Sequence, residues 1–447
     1  MPAAEKSRPP CPTPAMSKKA TPNIGSLSLA SETQSHLCWY CGRGEETLPT
    51  KLQKCGRCGL AVYCNRECQK GDWKLHKAKC KRLTEIVVDT DIKNRLRSGA
   101  LKRRLLTLSE GTVVLTVRDR DITTIGDMNL PPERARFEAP FFECKALLRV
   151  DFRGCAKLTS VGTGAFYGCS SLTSVAFPDS LTQIGKGAFQ HCSSLTSVVL
   201  PDSLTQLGEG AFMKCTSLTS LVFRDSLTEL GQGAFAGCPS LTSVVLPDSL
   251  TQIGDSAFAG CSSLTSMVFP DSLTQVGKSA FRECTSLTSL VFRDSLTELG
   301  DVAFGRCTSL TSVVLPDSLT QIGDEAFREC TSLTSVVLPD SVRQLGDVAF
   351  GRCSSLTSVV LPDSLTKIGM WVFLECSSLT SVVLPDSLTH VGKLAFRKCP
   401  SLTSVVMPDS AELGNDVFID CNALLQKAAL AGFDSLELYL RDRYKSI

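Results

Sequence analysis

The 447-residue sequence predicts a mainly β solenoid of short strands and tight helical turns, preceded by a small compact module. Three observations support this fold class. A cysteine recurs every 23 residues from Cys169 to Cys399, and near-identical segments fill the intervals. Each segment carries a short apolar run with strand-like alternation that ends in a proline turn. Ahead of the repeats, Cys and His residues cluster in four close pairs between Cys38 and Cys80.

Residues 1–36 are expected to form a disordered tail, because they are rich in Pro, Ser, Ala and Lys. They contain no apolar stretch of the kind that defines a secretory signal. No run in the sequence has the length of a transmembrane helix. We therefore expect an intracellular protein of the cytoplasm, the nucleus or both, which is not secreted and does not bind membranes.

Eight potential metal ligands follow, in the pairs Cys38/Cys41, Cys55/Cys58, Cys64/Cys68 and His76/Cys80. Cys and His residues at these short spacings direct two soft donors onto one tetrahedral zinc ion. Four pairs supply enough donors for two closed sites that leave no position for water or substrate. We therefore expect two Zn²⁺ ions with a structural role, although the spacing leaves three ways of pairing open.

The spacing of the ligands resembles that of the MYND-type zinc finger of eukaryotes, which also has a Tyr before a ligand, as at Tyr63, and a Trp, as at Trp73. The resemblance places the finger at residues 37–80 and implies an interleaved arrangement of the ligands. One zinc would be held by Cys38, Cys41, Cys64 and Cys68, and the other by Cys55, Cys58, His76 and Cys80. So short a segment has little core of its own and should unfold without metal.

MYND fingers are protein-interaction domains, and several members bind short proline-containing peptides. The family's peptide contacts include a Gln and a Trp four residues apart, and Gln69 and Trp73 stand at those positions. An exposed indole beside an amide donor suits an extended, proline-kinked peptide. The alternative is that Trp73 packs between the two zinc sites. Gly56 replaces a Ser found in some peptide-binding relatives, which leaves the peptide preference open.

Residues 81–110 are predicted to form a basic helical linker. Residues 1–110 contain 21 Lys and Arg against 10 Asp and Glu, a net charge of +11, so the remainder carries −9 of the total of +2. The runner-up function is therefore a chromatin or nucleic-acid-associated regulator that uses this linker. Against it, zinc thiolates offset part of the positive charge, and no aromatic residue lies between Lys77 and Arg104.

Residues 111–421 form the predicted solenoid. The unit that begins at Cys307 reads CTSLTSVVLPDSLTQIGDEAFRE. Its LTSVVL stretch reads as a short strand that ends at PDS, and Ala326 and Phe327 are expected to pack inward in one tight helical turn. A fixed period in the twenties indicates a solenoid, in which each unit buries its apolar edge only by stacking on its neighbours.

This pattern resembles the BspA-like, or Treponema-type, leucine-rich repeat, whose hallmark is LxxIxLPxxLxxIGxxAFxxC. The resemblance covers Cys144 to Cys421 and implies a leucine-rich-repeat solenoid. Residues 111–144 read as a degenerate opening unit, and residues 422–447 as a C-terminal helical cap. Repeats of this family also occur in secreted proteins, so a surface adhesin is a third alternative. The missing signal peptide and the zinc thiolates argue against it.

Equivalent positions of the units carry two further predictions. Fourteen cysteines lie in the solenoid, and a regular ladder offers none of the unit-opening thiols a preferred disulfide partner. We therefore expect buried, reduced thiols with a structural role. One valine per unit, from Val199 to Val406, is expected to line the outward face of the strands.

Variation among the units concentrates in the pair after each glycine and in the pair before each cysteine. The second residue after the glycine changes from Gly in early units to large apolar residues in late ones. We expect a protein-interaction patch there, because an exposed Trp among aliphatic residues often dominates binding. Its members would be Val348, Met370, Trp371 and Leu394. The alternative is that the C-terminal helix folds back and covers this patch.

The sequence predicts no enzyme, because it contains no Gly-rich phosphate loop or nucleophile elbow. Some MYND proteins are lysine methyltransferases, but their SET segment has no counterpart in this sequence. The predicted function is a zinc-binding adaptor or scaffold for protein–protein interactions. Its finger would bind a short peptide, of the proline-containing kind seen in the family, and its solenoid a second protein. We expect proteins or short peptides as partners rather than nucleic acid, and the sequence predicts no oligomeric state.

Overall fold

A computed structural model describes residues 53–54, 62–63, 84–88, 101, 105, 113–131, 134, 138–408, 410–433, 435–436 and 438–440. The chain divides into two compact units, Met1–Glu85 and Ile86–Ile447. In the first unit, the strand Gln53–Lys54 pairs antiparallel with the strand Val62–Tyr63. Gln53 lies opposite Tyr63 in this pair, and Lys54 lies opposite Val62.

The second unit is a solenoid in which each turn contributes one short strand to a thirteen-stranded parallel sheet. The register advances by one repeat per strand, so that Gln252 lies opposite Gln275 and Ile253 opposite Val276. The strands of this thirteen-stranded sheet are Thr124–Ile125, Ser160–Val161, Gln183–Ile184, Gln206–Leu207, Glu229–Leu230, Gln252–Ile253, Gln275–Val276, Glu298–Leu299, Gln321–Ile322, Gln344–Leu345, Lys367–Ile368, His390–Val391 and Glu412–Leu413.

A second strand in each turn belongs to smaller parallel sheets of four, two, two and two strands. These strands are Ser197–Val199, Ser220–Val222, Ser243–Val245, Ser266–Val268, Ser289–Val291, Ser312–Val314, Ser335–Val337, Ser358–Val360, Ser381–Val383 and Ser404–Val406. At the start of the solenoid, longer strands form one four-stranded sheet. Its members, in order, are Thr84–Val88, Val113–Val117, Leu147–Asp151 and Ser174–Ala176.

The core contains one phenylalanine per turn, stacked on the phenylalanine of the next turn. Neighbouring ring centroids lie 4.9 to 5.8 Å apart, with interplanar angles of 2° to 17°. Nearly parallel, offset rings at this separation add to the stabilisation that burial provides. The stack consists of Phe141, Phe166, Phe189, Phe212, Phe235, Phe258, Phe281, Phe304, Phe327, Phe350, Phe373, Phe396 and Phe418.

The segment around each stacked phenylalanine is a pair of turns and not the predicted helical turn. In residues 324–329, the backbone φ is 57° at Glu325 and 60° at Glu329, both in the left-handed region. The N–H groups of Glu325, Phe327 and Glu329 donate to carbonyl oxygens of the following turn at 2.8 Å. A helix would direct these donors back along its own chain, whereas here they join successive turns of the solenoid.

The repeated glycine that precedes these turns allows the backbones of successive turns to approach closely. A Cβ atom on Gly323 would lie 2.7 Å from the backbone nitrogen of Asp301 and 2.7 Å from the carbonyl carbon of Gly300. Side chains do not tolerate backbone atoms at this distance. The glycine is therefore required by packing between turns.

The ends of the solenoid differ in part from the prediction. Residues 84–88 fall in the predicted helical linker 81–110 but form a strand, which corrects that prediction. Ile86 and Val88 are buried while Glu85 and Val87 are exposed, and this alternation with β-branched residues favours a strand. Within the same predicted linker, Leu101 and Leu105 are helical and buried.

The predicted opening unit contains the strands Val113–Val117 and Thr124–Ile125. The predicted C-terminal cap contains the helix α1, Asn422–Leu430. Leu424 and Ala428 of α1 are buried against the solenoid core. At both ends of the array, buried apolar residues thus cover the last turn of the stack, as the terminal units of a solenoid must.

Candidate functional site

The eight predicted zinc ligands, together with Gln69 and Trp73, lie outside the described residues. The two strands that the structure describes in this unit end directly before Cys55 and Cys64 in the sequence. The donor set itself consists of seven thiols and one imidazole. Thiolate and imidazole donors at CxxC-type spacing fit tetrahedral Zn²⁺ better than Mg²⁺ or Ca²⁺, which take oxygen ligands.

Among the described residues, no group of three or more His, Cys, Asp or Glu side chains has the geometry of a metal site. No described helix has the length and apolar character needed to cross a membrane.

One exposed surface is the valine strip, which runs along the smaller sheets. Its nine valines expose 37% to 71% of their surface and are Val199, Val222, Val245, Val268, Val291, Val314, Val337, Val360 and Val383. The outward orientation predicted from the sequence is confirmed for these nine, whereas Val406 is half-buried. The residue before each exposed valine is buried, as Val198 is at 2% exposure. The valine strip is uniform, so it distinguishes no turn from another.

The predicted interaction patch lies in three successive turns near the C-terminal end. Met370 is exposed at 39%, while Val348 and Trp371 are half-buried. Leu394 is 9% exposed and contributes little surface. The accessible part of the patch is therefore centred on Met370 and Trp371.

The second residue after each repeated glycine has left-handed backbone geometry, which accounts for the glycines that the early turns carry there. Glycine occupies this position in early turns, as at Gly187 and Gly210 with φ of 58° and 59°. In late turns φ is 59° at Val348, 56° at Trp371 and 60° at Leu394. Large residues at this φ are strained by about 1–3 kcal/mol each. The variable position is visible in the sequence, and the glycines of the early turns are the signal of its left-handed φ.

The unit-opening cysteines form a buried ladder of thiols. Cys192, for example, places its Sγ 3.2 Å from the carbonyl oxygen of Phe166, one turn earlier. Burial raises the pKa of Cys238 and of Cys307 to about 12, so both thiols stay protonated and can donate to a carbonyl. Among the described residues, the solenoid cysteines are thiols rather than disulfides. This agrees with the structural role predicted for them.

Comparison with known families identifies both modules. Residues 138–262, 228–319 and 297–425 match the BspA type leucine rich repeat region. Residues 38–80 match the MYND finger. A crystallised leucine-rich repeat protein from Bacteroides ovatus is 30% identical to this chain, with a TM-score of 0.56. The match covers 72% of this chain and 90% of that protein.

A second group of relatives consists of lysine methyltransferases, and the similarity is confined to the finger region. N-lysine methyltransferase SMYD2 of Homo sapiens is 54% identical over 59 residues, or 13% of this chain and 12% of that enzyme. N-lysine methyltransferase SMYD2-A of Danio rerio is 56% identical over 62 residues, or 13% of this chain and 14% of that enzyme. The chain thus spans about an eighth of the length of these relatives.

Proposed function

The chain belongs to the BspA-type leucine-rich repeat family and carries a MYND finger, and on this premise we propose that it is a protein-interaction adaptor. The finger binds a short peptide, and the solenoid binds a second protein through the patch around Met370 and Trp371. The observation that carries the proposal is the departure of the late turns from the repeat. An exposed Met and a partly exposed Trp stand there in an array whose early turns have Gly at the position of Trp371. Such residues are common anchors of protein interfaces.

In the finger, Gln69 and Trp73 are the proposed peptide contacts. The amide of Gln69 and the indole of Trp73 would bind an extended, proline-containing segment. Two zinc ions hold this module, one on Cys38, Cys41, Cys64 and Cys68 and one on Cys55, Cys58, His76 and Cys80. Their role is structural, because eight protein donors fill both coordination shells. The finger occupies residues 37–80 and the repeats occupy residues 111–421.

The protein acts without catalysis of its own in this proposal. The similarity to methyltransferases covers the finger region, and a finger supplies recognition rather than a reacting group. The proposed location is intracellular, in the cytoplasm or nucleus, because buried thiols and zinc thiolates both persist in a reducing environment.

A nucleic-acid-associated role is the second candidate, and the net charge of +11 in residues 1–110 favours it. The two candidates differ in their salt dependence. Binding to nucleic acid releases counterions and weakens steeply as salt rises. Peptide capture by Trp73 depends on stacking and on backbone hydrogen bonds, so its affinity should respond weakly to salt.

The test is affinity purification with the full chain as bait, beside Trp73→Ala and Trp371→Gly variants. Glycine is the residue that early turns carry at the position of Trp371, so the second variant keeps the backbone geometry. An adaptor should lose one set of partners with Trp73→Ala and a different set with Trp371→Gly. If both variants retain every partner of the unaltered protein, neither proposed site binds.

A further inference from the structure

The valine strip is more uniform than the core beneath it. In ten strands, from Ser197–Val199 to Ser404–Val406, the first residue is Ser and the third is Val. The residue between them is buried and varies, as Val198, Leu221 and Met267 show. Close packing usually restricts buried positions more than exposed ones, but here the outward residues have the narrower choice. This reversal indicates that the outward face is itself a contact surface.

The outward row of the other sheet has a different chemistry. In the thirteen-stranded sheet, the exposed first residue of each strand is polar or charged, as at Gln206, Glu229, Gln252 and Lys367. Parallel strands of this array therefore form with hydrophilic side chains on the water side. A preference of Val for strands does not by itself account for a valine in every turn of the valine strip.

The valine strip is also large for an apolar surface left in water. Most of its valines expose more than half of their surface, and Val245 exposes 71%. Strands one turn apart are separated by about 4.8 Å, so nine turns give the strip a length of about 40 Å. Soluble monomers rarely expose contiguous apolar patches of more than a few hundred Å². The strip thus has the properties of a surface that another molecule covers.

The regular spacing of the strip restricts what can cover it. Neighbouring strands pair in register, with Val245 opposite Val268 and Ser243 opposite Ser266. A partner can match the strip over its whole length only if its own side chains recur at the same interval. A second copy of this chain meets that condition. Two sheets pack face to face about 10 Å apart with interdigitated side chains, and identical side chains form dry contacts of this kind.

We propose that the valine strip is the interface of a homodimer, in which two copies of the chain pack strip against strip. The contact is isologous, because both copies use the same surface, and it therefore closes at two subunits. Full overlap of the strips buries on the order of 1,000 Å² in total, the size at which an interface becomes specific. The dimer is independent of the proposed function, since the strip does not include Met370 or Trp371.

Charge at the edges of the strip selects one arrangement of the two copies. In each turn, hydroxyl side chains such as Thr311 and Ser312 lie on one side of Val314, and an exposed aspartate such as Asp317 follows on the other. A two-fold axis along the strands would place one row of aspartates against the other, and like charges repel. An axis along the solenoid places each aspartate row over a hydroxyl row. Equivalent turns then face one another.

The aspartate edge resembles the rim of an interface. Arg224 and Arg293 stand where other turns have Pro, and their guanidinium groups lie 3.4 and 3.3 Å from carboxylates of Asp202 and Asp271. These charges are exposed and paired within the chain. A polar, accessible rim around an apolar centre is typical of protein interfaces.

The test is sedimentation equilibrium of the full-length, zinc-loaded protein over a range of concentrations. We expect the mass to rise from that of one chain to that of two and no further. Val245→Lys and Val245→Glu should each weaken the dimer at least about tenfold, because equivalent residues face each other and two like charges then meet. The side chain points into solvent in the single chain, so both variants should fold. An equimolar mixture of the two variants should form the dimer again.

Two controls separate this contact from other effects of charge. Gln252→Lys and Gln252→Glu make the same changes in the same turn but on the thirteen-stranded sheet, and they should leave the dimer unchanged. Val245 and Val337 are each third from an end of the strip, so they would meet if the copies ran in opposite directions. Val245→Lys should therefore pair more tightly with Val245→Glu than with Val337→Glu.

Several results would overturn the inference. A protein that stays monomeric to about 100 μM, above the range of specific interfaces of this size, has no such dimer. A mass that continues to rise beyond two chains would exclude a closed contact. A dimer that is unaffected by Val245→Lys, or that the mixture of charged variants does not restore, would be held by another surface. Tighter pairing with Val337→Glu would contradict the facing of equivalent turns.

Discussion

Val348 occupies the space that a side chain at Gly351 would need. A Cβ atom at residue 351 would lie 2.5 Å from Cγ1 of Val348. The same relationship holds two turns earlier, where a Cβ at Gly305 would lie 2.7 Å from Cγ1 of Val302. A bulky residue in the left-handed position is thus accommodated by a glycine three residues later, so the two positions share one volume.

We predict that Gly351→Ala destabilises the protein by about 1–3 kcal/mol through overpacking against Val348. The double variant Val348→Gly/Gly351→Ala should recover most of this loss, because Gly233 and Ala236 are already such a combination in the native chain. Urea unfolding of the four members of this double-mutant cycle measures the coupling. If Gly351→Ala is equally destabilising in both backgrounds, the two residues do not share space.

The buried thiols predict a fall in stability at alkaline pH. The pKa of Cys238 is raised by burial from 9.0 to about 12 in the folded protein. Unfolded thiols ionise near the ordinary value, so the unfolding free energy is unaffected below it. It falls as the pH rises from about 9 towards 12, by ~1.4 kcal/mol per pH unit for each such cysteine.

Urea unfolding between neutral and alkaline pH measures this slope. The variant Cys238→Ala removes one buried thiol. Above pH 9 its unfolding free energy should fall less steeply than that of the unaltered protein, by ~1.4 kcal/mol per pH unit. The control variant Lys214→Gln replaces an exposed lysine and should leave this slope unchanged near pH 9. An identical slope for Cys238→Ala and the unaltered protein would show that this thiol does not limit alkaline stability.

A ladder of ion pairs connects six turns through the residue before each cysteine. Successive partners lie 3.0 to 3.3 Å apart. The ladder consists of Glu283, Arg306, Glu329, Arg352, Glu375 and Lys398. The ammonium of Lys398 lowers the pKa of Glu375, so this pair stabilises above the ordinary carboxyl pKa and its contribution is lost as the pH falls.

Arg352→Gln should therefore destabilise the protein at low ionic strength by about 1 kcal/mol, because Arg352 bridges two carboxylates. At about 1 M salt the effect should largely vanish, since charges are screened over ~3 Å. The matched control is Arg293→Gln, whose guanidinium meets a single exposed carboxylate, that of Asp271. If Arg352→Gln lowers stability equally in high salt, Arg352 stabilises the protein through packing of its aliphatic chain and not through charge.

Zinc removal should unfold the finger and leave the solenoid folded. The purified protein is expected to contain about two zinc atoms per chain, as eight donors in four-coordinate sites require. After chelation, near-ultraviolet circular dichroism should retain the signal of the phenylalanine stack, because no metal-ligand cluster occurs among the described solenoid residues. The variant Cys55→Ser should retain the zinc of one site. A single zinc per chain in the unaltered protein would contradict the two-site assignment.

Much of the solenoid could be predicted from the sequence, because a repeat imposes the same environment on equivalent residues. The outward valines, the inward phenylalanines and the protonated thiols all follow from alternation and periodicity. The turns around Phe327 could not be predicted from the apolar pattern alone. A helical turn would bury the same Ala and Phe as the observed pair of turns, each of which contains one residue with left-handed φ. The glycines at Gly187 and Gly210 were the available signal.

The strand Thr84–Val88 was missed for a different reason. Its sequence TEIVV has the β-branched residues of a strand, but it is only five residues long and lies among the lysines and arginines of a basic segment.

The central claim is that one chain binds two partners at independent sites, and a two-ligand titration tests it most directly. One peptide is selected on the full chain with Trp371→Gly, and the other on the full chain with Trp73→Ala. Isothermal titration of the unaltered protein with the second peptide is then performed with and without saturating first peptide. The account predicts one equivalent of each and an unchanged dissociation constant. Displacement of one peptide by the other, or binding of only one of them, would contradict it.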